Sequence, residues 1–146
     1  MPGNPNIFSD TIAFRYKIFF MGGANLETDD VFQLNVKSMK YTSKQRMLTC
    51  EYAAALCIAS EEIYSIGGYR QGFLSDCQKY SIKLDKWEKL PNLNQEKNNL
   101  ASPVLNENHI YAIGGNDYYN KPVCFVERLG INKDKKWKLI EMPDFV

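Results

Sequence analysis

Three short segments of this chain end in the same pair of glycines: Lys17-Ile18-Phe19-Phe20-Met21-Gly22-Gly23, Glu62-Ile63-Tyr64-Ser65-Ile66-Gly67-Gly68 and His109-Ile110-Tyr111-Ala112-Ile113-Gly114-Gly115. Their first glycines stand 45 and then 47 residues apart. Spacing this regular means one structural unit used three times, and a period in the range of roughly 20–50 residues points to a stacked or circular array. Each segment carries isoleucine four residues before its first glycine, an aromatic residue three before it, and Met or Ile one before it. β-Branched and aromatic residues in so short a run predict a strand.

The rest of each unit reads as strand as well. After each glycine pair comes a polar loop and then a run of roughly alternating apolar and polar residues, at 31–36, 77–82 and 124–131. Period two marks a half-buried strand. A third strand is flagged by Tyr41, Trp87 and Trp137, which follow the second glycine of their units by 18, 19 and 22 residues. Leu90-Pro91-Asn92-Leu93 and Ile140-Glu141-Met142-Pro143 close the later units, and apolar runs at 52–59 and 100–105 supply a strand ahead of the next glycine pair. In the first unit that leading strand has to come from 7–14. No segment shows a capped helical period. The expected fold is all-β, with four short antiparallel strands in each unit of about 46 residues, as propeller blades require.

Ile-Tyr-x-Ile-Gly-Gly, then Val126-Glu127-Arg128, then a tryptophan further on, resembles the kelch repeat, and the resemblance extends over nearly the whole chain. It is closest in the second and third units; in the first, Tyr41 stands where the family has tryptophan. The resemblance implies a kelch-type β-propeller arc of three four-stranded blades. We divide the chain into a flexible lead-in at 1–6, a degenerate blade at 7–45, a second blade at 46–92 and a third at 93–146. Gly22, Gly23, Gly67, Gly68, Gly114 and Gly115 are expected to be structural, since glycine permits a sharp turn with positive φ and a close approach of backbones. Trp87 and Trp137 are expected to cement neighbouring blades, each burying on the order of 200 Å² with its indole N–H seeking an acceptor.

Three blades do not close a ring, because propellers generally close with about four to eight. The apolar flanks of the arc therefore call for cover. Two copies pairing into a six-bladed homodimer, a longer polypeptide supplying further blades, and another protein capping the arc are the completions left open.

Chemistry is harder to find. The formal charge is +1, from eighteen basic and seventeen acidic side chains, without a run of like charges suited to a phosphate backbone or an anionic membrane. Nucleic acid and membrane are not expected partners. Apolar stretches fall short of the roughly 20 residues that span a bilayer. The opening residues lack the features of a secretory signal. Cys50, Cys57, Cys77 and Cys124 form no C-x-x-C pair, and no N-x-[ST] sequon occurs. A reduced, cytoplasmic protein is expected, with a cytoskeletal association as an alternative.

Some kelch propellers resemble a copper oxidase and others sugar-processing enzymes. One histidine, His109, cannot build a His-rich copper or zinc site. Nothing places a nucleophile beside it. Gly67-Gly68-Tyr69-Arg70-Gln71-Gly72 precedes no helix and no Gly-Lys-Ser/Thr, so it is not a phosphate loop. The pairs Asp29-Asp30 and Glu61-Glu62 read as solvated turn charges. We expect no catalytic residues, no cofactor and no metal. The expected role is a noncatalytic module that binds or scaffolds another protein; a structural subunit of a cytoskeletal complex and part of a sugar-processing propeller are the alternatives.

The kelch resemblance implies that one rim, made by the loops at 24–29, 69–75 and 116–122 and by the blade-joining stretches at 44–50 and 92–99, is where a peptide segment binds. Loops on a rigid scaffold commonly carry function, and Tyr and Arg are favoured at interfaces. The candidates are Tyr69, Arg70, Gln71, Phe73, Lys97, Asn116, Asp117, Tyr118 and Tyr119.

Overall fold

Every regular element of the described residues is a strand, and within each sheet strands adjacent in the chain pair antiparallel. The computed structural model describes residues 9–23, 28–101, 104–106 and 108–140. β1 (Asp10–Phe14), β2 (Lys17–Met21), β3 (Val31–Asn35) and β4 (Lys40–Lys44) form the first sheet in chain order. β5 (Ala55–Ala59), β6 (Glu62–Ile66), β7 (Cys77–Ser81) and β8 (Lys86–Leu90) form the second. β9 (Val104–Asn106), β10 (His109–Ile113), β11 (Val126–Gly130) and β12 (Lys138–Ile140) form the third. The all-β arc of three four-stranded antiparallel blades expected from the repeat is the observed architecture.

β5 packs beside β1 and beside β9, so these leading strands converge on the inner side of the arc. The glycine-pair strands are therefore second from the inside. Side-chain alternation sends opposite faces of the second sheet to different neighbours. Ile63, Tyr80 and Trp87 pack with Phe19, Met21 and Val31 of the first sheet. Ala55, Cys57, Tyr64 and Ile66 pack with Ile110, Leu129 and Trp137 of the third. Each tryptophan also reaches back to the start of the connector before it: Trp87 Nε1 donates to the Gln45 carbonyl at 2.9 Å and Trp137 Nε1 to that of Pro91 at 2.8 Å. Tyr41, in the same position of the first sheet, has no sheet of the described residues on its side and is 48% exposed, against 4% and 2% for the two tryptophans.

The glycine pair is clasped by connectors on both sides. Gly67 has φ +64, and a Cβ there would stand 2.6 Å from the carbonyl oxygen of Lys97, in the connector that follows. Gly68 has φ +113, and its Cβ would lie 3.0 Å from the carbonyl oxygen of Tyr52, in the connector that precedes. The neighbouring units repeat this, with Gly22 against the Glu51 carbonyl and Gly115 against that of Asn98.

Several strand limits differ from the sequence reading. The 52–59 run shrinks to Ala55–Ala59, while of the 100–105 run residues 102 and 103 lie outside the described residues and the strand described there is Val104–Asn106. Ala53 and Asn99 turn the chain with φ near +54 and +51, and Tyr52 and Ala101 make isolated bridges instead. The 124–131 run starts only at Val126, and Trp137 is buried just before β12 instead of within it. Residues 1–6, most of the 24–29 loop and 141–146 lie outside the described residues, as do Ile7 and Phe8 of the expected first strand.

Candidate functional site

Antiparallel order puts the β2–β3, β6–β7 and β10–β11 loops at the same end of the arc as the sheet-to-sheet connectors at 45–54 and 91–103. Backbone hydrogen bonds stitch these segments together. Tyr52 and Tyr69 exchange N–H···O bonds at 3.2 and 2.8 Å, and Asn98 and Asn116 do so at 3.2 and 3.1 Å. Gly68 N donates to the Lys97 carbonyl at 3.1 Å, and Lys97 N donates to that of Leu74, also at 3.1 Å. Loops tied in this way present side chains at small entropic cost.

On this end runs a ladder of aromatic rings. Tyr52 meets Tyr69 at 5.4 Å between centroids, Tyr69 meets Phe73 at 5.6 Å, Phe73 meets Tyr118 at 6.2 Å and Tyr118 meets Tyr119 at 5.5 Å. The later contacts are edge-to-face, the geometry favoured by the ring quadrupole. The ladder crosses from the second blade to the third. Its inner members are half-buried, while Tyr118 and Tyr119 are 68% and 77% exposed.

Those two tyrosines stand on a loop fixed by Asp117. The Asp117 carboxylate accepts from the Tyr119 and Lys121 backbone N–H groups, both at 2.9 Å. Its backbone N–H donates to the Lys121 carbonyl at 2.9 Å, and Asn120 N donates to the Asp117 carbonyl at 2.8 Å. Asn116 lies half-buried at the base of this loop. Arg70 and Gln71 are exposed at the tip of the β6–β7 loop, where Arg70 N donates to the Gly72 carbonyl at 2.8 Å. The structure thus brings Tyr69, Arg70, Gln71, Phe73, Asn116, Asp117, Tyr118 and Tyr119 to one end of the arc.

Lys97 is the correction. Expected on the rim, it is fully buried, with Nζ 2.8 Å from Glu127 Oε1, whose carboxylate is also fully buried. The ammonium lies 4.6 Å from the Phe125 ring centroid. Glu127 Oε2 accepts from Asn94 N at 2.8 Å and from Asn94 Nδ2 at 2.7 Å. A lysine inside the polar run Asn94-Gln95-Glu96-Lys97-Asn98-Asn99 reads as solvated. Its ion pair with Glu127 on β11 draws it inward.

The corresponding place in the preceding connector holds Glu51, also buried. Ser65 Oγ donates to it. Burial holds its carboxyl up at about 8, with the Ser65 and Gln78 hydrogen bonds acting in the opposite direction. Gln78 braces the same connector, accepting from Leu48 N and donating to the Thr49 carbonyl, each at 3.0 Å. Asp10, raised to about 6 by burial, accepts from Ala54 N at 3.0 Å. Both connectors therefore have acidic or ion-paired anchors beneath them.

Beside the exposed tyrosines is a shallow groove of about 330 Å³ lined by Asn94, Gln95, Glu96, Asp117, Tyr118 and Tyr119. Tyr52 was not among the sequence candidates, and Asn94, Gln95 and Glu96 entered only as part of the 92–99 stretch of the rim and not as named residues. Tyr52 headed an apolar run and read as the start of a strand.

The turn charges are more engaged than expected. Arg46 pairs with Asp30 at 3.2 Å, Arg15 with Glu61 at 2.9 Å and Lys79 with Glu62 at 3.3 Å. His109 is a half-buried residue of β10. Among the described residues no three His, Cys, Asp or Glu side chains are grouped to hold a metal ion, and no helix is long and apolar enough to cross a membrane. Cys50, Cys57 and Cys77 are buried and Cys124 is exposed, and none of the four is in a disulfide.

Residues 52–94 match the kelch motif. The match starts at the first ring of the ladder, takes in the whole second sheet and ends in the following connector. No curated protein matches the chain.

Proposed function

From a chain whose middle blade is a kelch repeat and whose flanking sheets share its build, we propose that the loop end of the arc is a noncatalytic protein-interaction surface that takes an extended segment of a partner. The observation carrying this is the aromatic ladder from Tyr52 to Tyr119, ending in two exposed tyrosines on a loop pinned by Asp117. Its four steps span at most about 23 Å, the length of about seven extended residues. Exposed aromatics on a rigid frame lose little entropy on binding and are enriched among the residues that dominate interfaces.

An array of random heptapeptides probed with the full chain tests this. A defined set of peptides should bind, and Tyr118→Ala/Tyr119→Ala should lose that set while unfolding at the same denaturant concentration. Retention of the whole set by the double variant would remove the ladder from the account.

A scaffolding role within a larger assembly is the second reading, supported by the open side of the first sheet, where Tyr41 is exposed beside Phe20 at 6.2 Å. Pairing of two copies into a six-bladed ring is one form of it, and attachment to a cytoskeletal structure another. Light scattering separates the first form: a species at twice the 16.8 kDa chain mass supports it, and a stable monomer counts against it. Four cysteines without a disulfide support a reducing, cytoplasmic setting.

A further inference from the structure

The groove beside Tyr118 and Tyr119 has a chemical bias that the rest of the ladder lacks. Of its six lining residues, two are carboxylates, two are amides, two are exposed tyrosines and none is basic. Neither Glu96 nor Asp117 is paired with a lysine or arginine among the described residues. Asp117 spends one oxygen, Oδ1, on the loop backbone. The two tyrosine rings meet edge to face at 89° and both are largely exposed, which leaves ring surface free for a ligand. A cation over such a face is attracted by the ring quadrupole, and an adjacent carboxylate adds to that attraction.

Both walls are fixed before any ligand arrives. Asp117 holds the tyrosine loop. On the other side Asn94 is clamped by Glu127, and its Nδ2 also donates to the Trp137 carbonyl at 3.1 Å. Lys97, which could have neutralised this groove, is instead spent beneath it on Glu127. The nearest cation on the loop, Lys121, is exposed and does not line the groove. A volume of about 330 Å³ is at the small end for ligand sites and suits one long side chain with its flanking backbone.

We propose that this groove receives the cationic side chain, arginine before lysine, of a peptide segment lying along the aromatic ladder. Arginine is favoured because its planar guanidinium stacks on a tyrosine face while its edge donates to a carboxylate. The proposal rests on the peptide-binding reading above and adds the charge of the partner to it.

The test uses the folded full chain labelled with ¹⁵N and titrated with N-acetyl-arginine methylamide, with the citrulline and glutamate analogues as controls. The arginine probe should shift the amides of Gln95, Glu96, Asp117, Tyr118 and Tyr119, and citrulline at equal concentration should shift them at least fivefold less. Glu96→Gln should weaken the arginine response several-fold, as should Tyr119→Ala, whereas Tyr119→Phe should keep it. Equal shifts from arginine and citrulline, a preference for glutamate, or no shift at these amides overturns the cationic assignment. The heptapeptide array separates that failure from failure of the broader reading: ladder-dependent peptides without enrichment in arginine or lysine leave the rim standing and the charge proposal refuted.

Discussion

Replacing Lys97 by methionine keeps most of the side-chain volume but removes a charge that the structure buries completely. The ammonium sits 2.8 Å from Glu127 Oε1, and neither side chain reaches solvent. At an effective dielectric of about 20 their attraction is roughly 6 kcal/mol, offset in part by the cost of desolvating both groups. Methionine in place of Lys97 leaves that cost with Glu127 and removes the attraction, so a loss of about 3–5 kcal/mol is expected, a large share of the ~5–15 kcal/mol that holds a domain folded. Glu127→Gln strands Lys97 instead and should be costly for the same reason. The double variant leaves neither charge exposed to the other's absence, and its loss should fall short of the sum of the singles by at least ~1.5 kcal/mol. Urea unfolding followed by tryptophan fluorescence measures all four corners, with Trp137 placed beside Asn94 as reporter. A single-variant loss under about 1 kcal/mol, the range of an exposed pair, or strict additivity would refute the buried-pair argument.

Three further outcomes follow from the same structure. The Glu51 carboxyl, held at about 8 in the fold against 4.5 as its ordinary value, keeps its proton while the unfolded chain loses it, so stability falls as pH rises between these two values. Glu51→Gln should flatten that fall and gain on the order of 3 kcal/mol at pH 8, read as midpoint against pH; an unchanged slope would contradict the assignment. Gly67→Ala meets both φ +64 and the Lys97 carbonyl and should cost more than about 2 kcal/mol, whereas Gly114→Ala, with its nearest described neighbour 3.9 Å away, should cost about 1; calorimetry of the two variants ranks them, and equal costs would deny the connector clasp. Trp137→Phe removes the bond to the Pro91 carbonyl along with part of the ring and should destabilise by about 2–3 kcal/mol, whereas Tyr41→Phe on the open side should change stability by less than about 0.5; chemical denaturation checks the contrast.

The architecture was legible because it is written in short-range signals used three times. Ile, aromatic and glycine pair stand at fixed offsets, and each unit repeats them at nearly the same spacing. Strand limits were less legible where an apolar run also contains a turn: Tyr52 and Ala53 look no different from the residues of β5, but Ala53 takes positive φ because the connector has to bend over the glycine pair. The rim loops could be named because the kelch resemblance, resting on the repeated glycine pairs, says which loops share one end. The ladder could not, since Tyr52 joins Tyr69 only when the connector folds back, and Phe73 meets Tyr118 only when two blades stand side by side. Lys97 marks the limit most clearly. Its place in a polar run argues for solvent, and its burial depends on a glutamate on a strand of the following blade. The mirrored use of Glu51 in the other connector depends on Ser65 and Gln78 in the same way. Long-range pairing of polar groups leaves little trace in local pattern.

The central claim is that the loop end of this arc, and not its opposite end, meets another protein. A photo-crosslinking residue placed at Tyr119 on the rim, and in a parallel variant at Leu84 in the β7–β8 turn at the other end, tests it directly; both positions are exposed and neither supports the core. Illumination in cells should give discrete higher-mass adducts from position 119, lost on adding Tyr69→Ala in the same chain, and none from position 84. Adducts from position 84 alone, or equal patterns from both ends, would contradict the account.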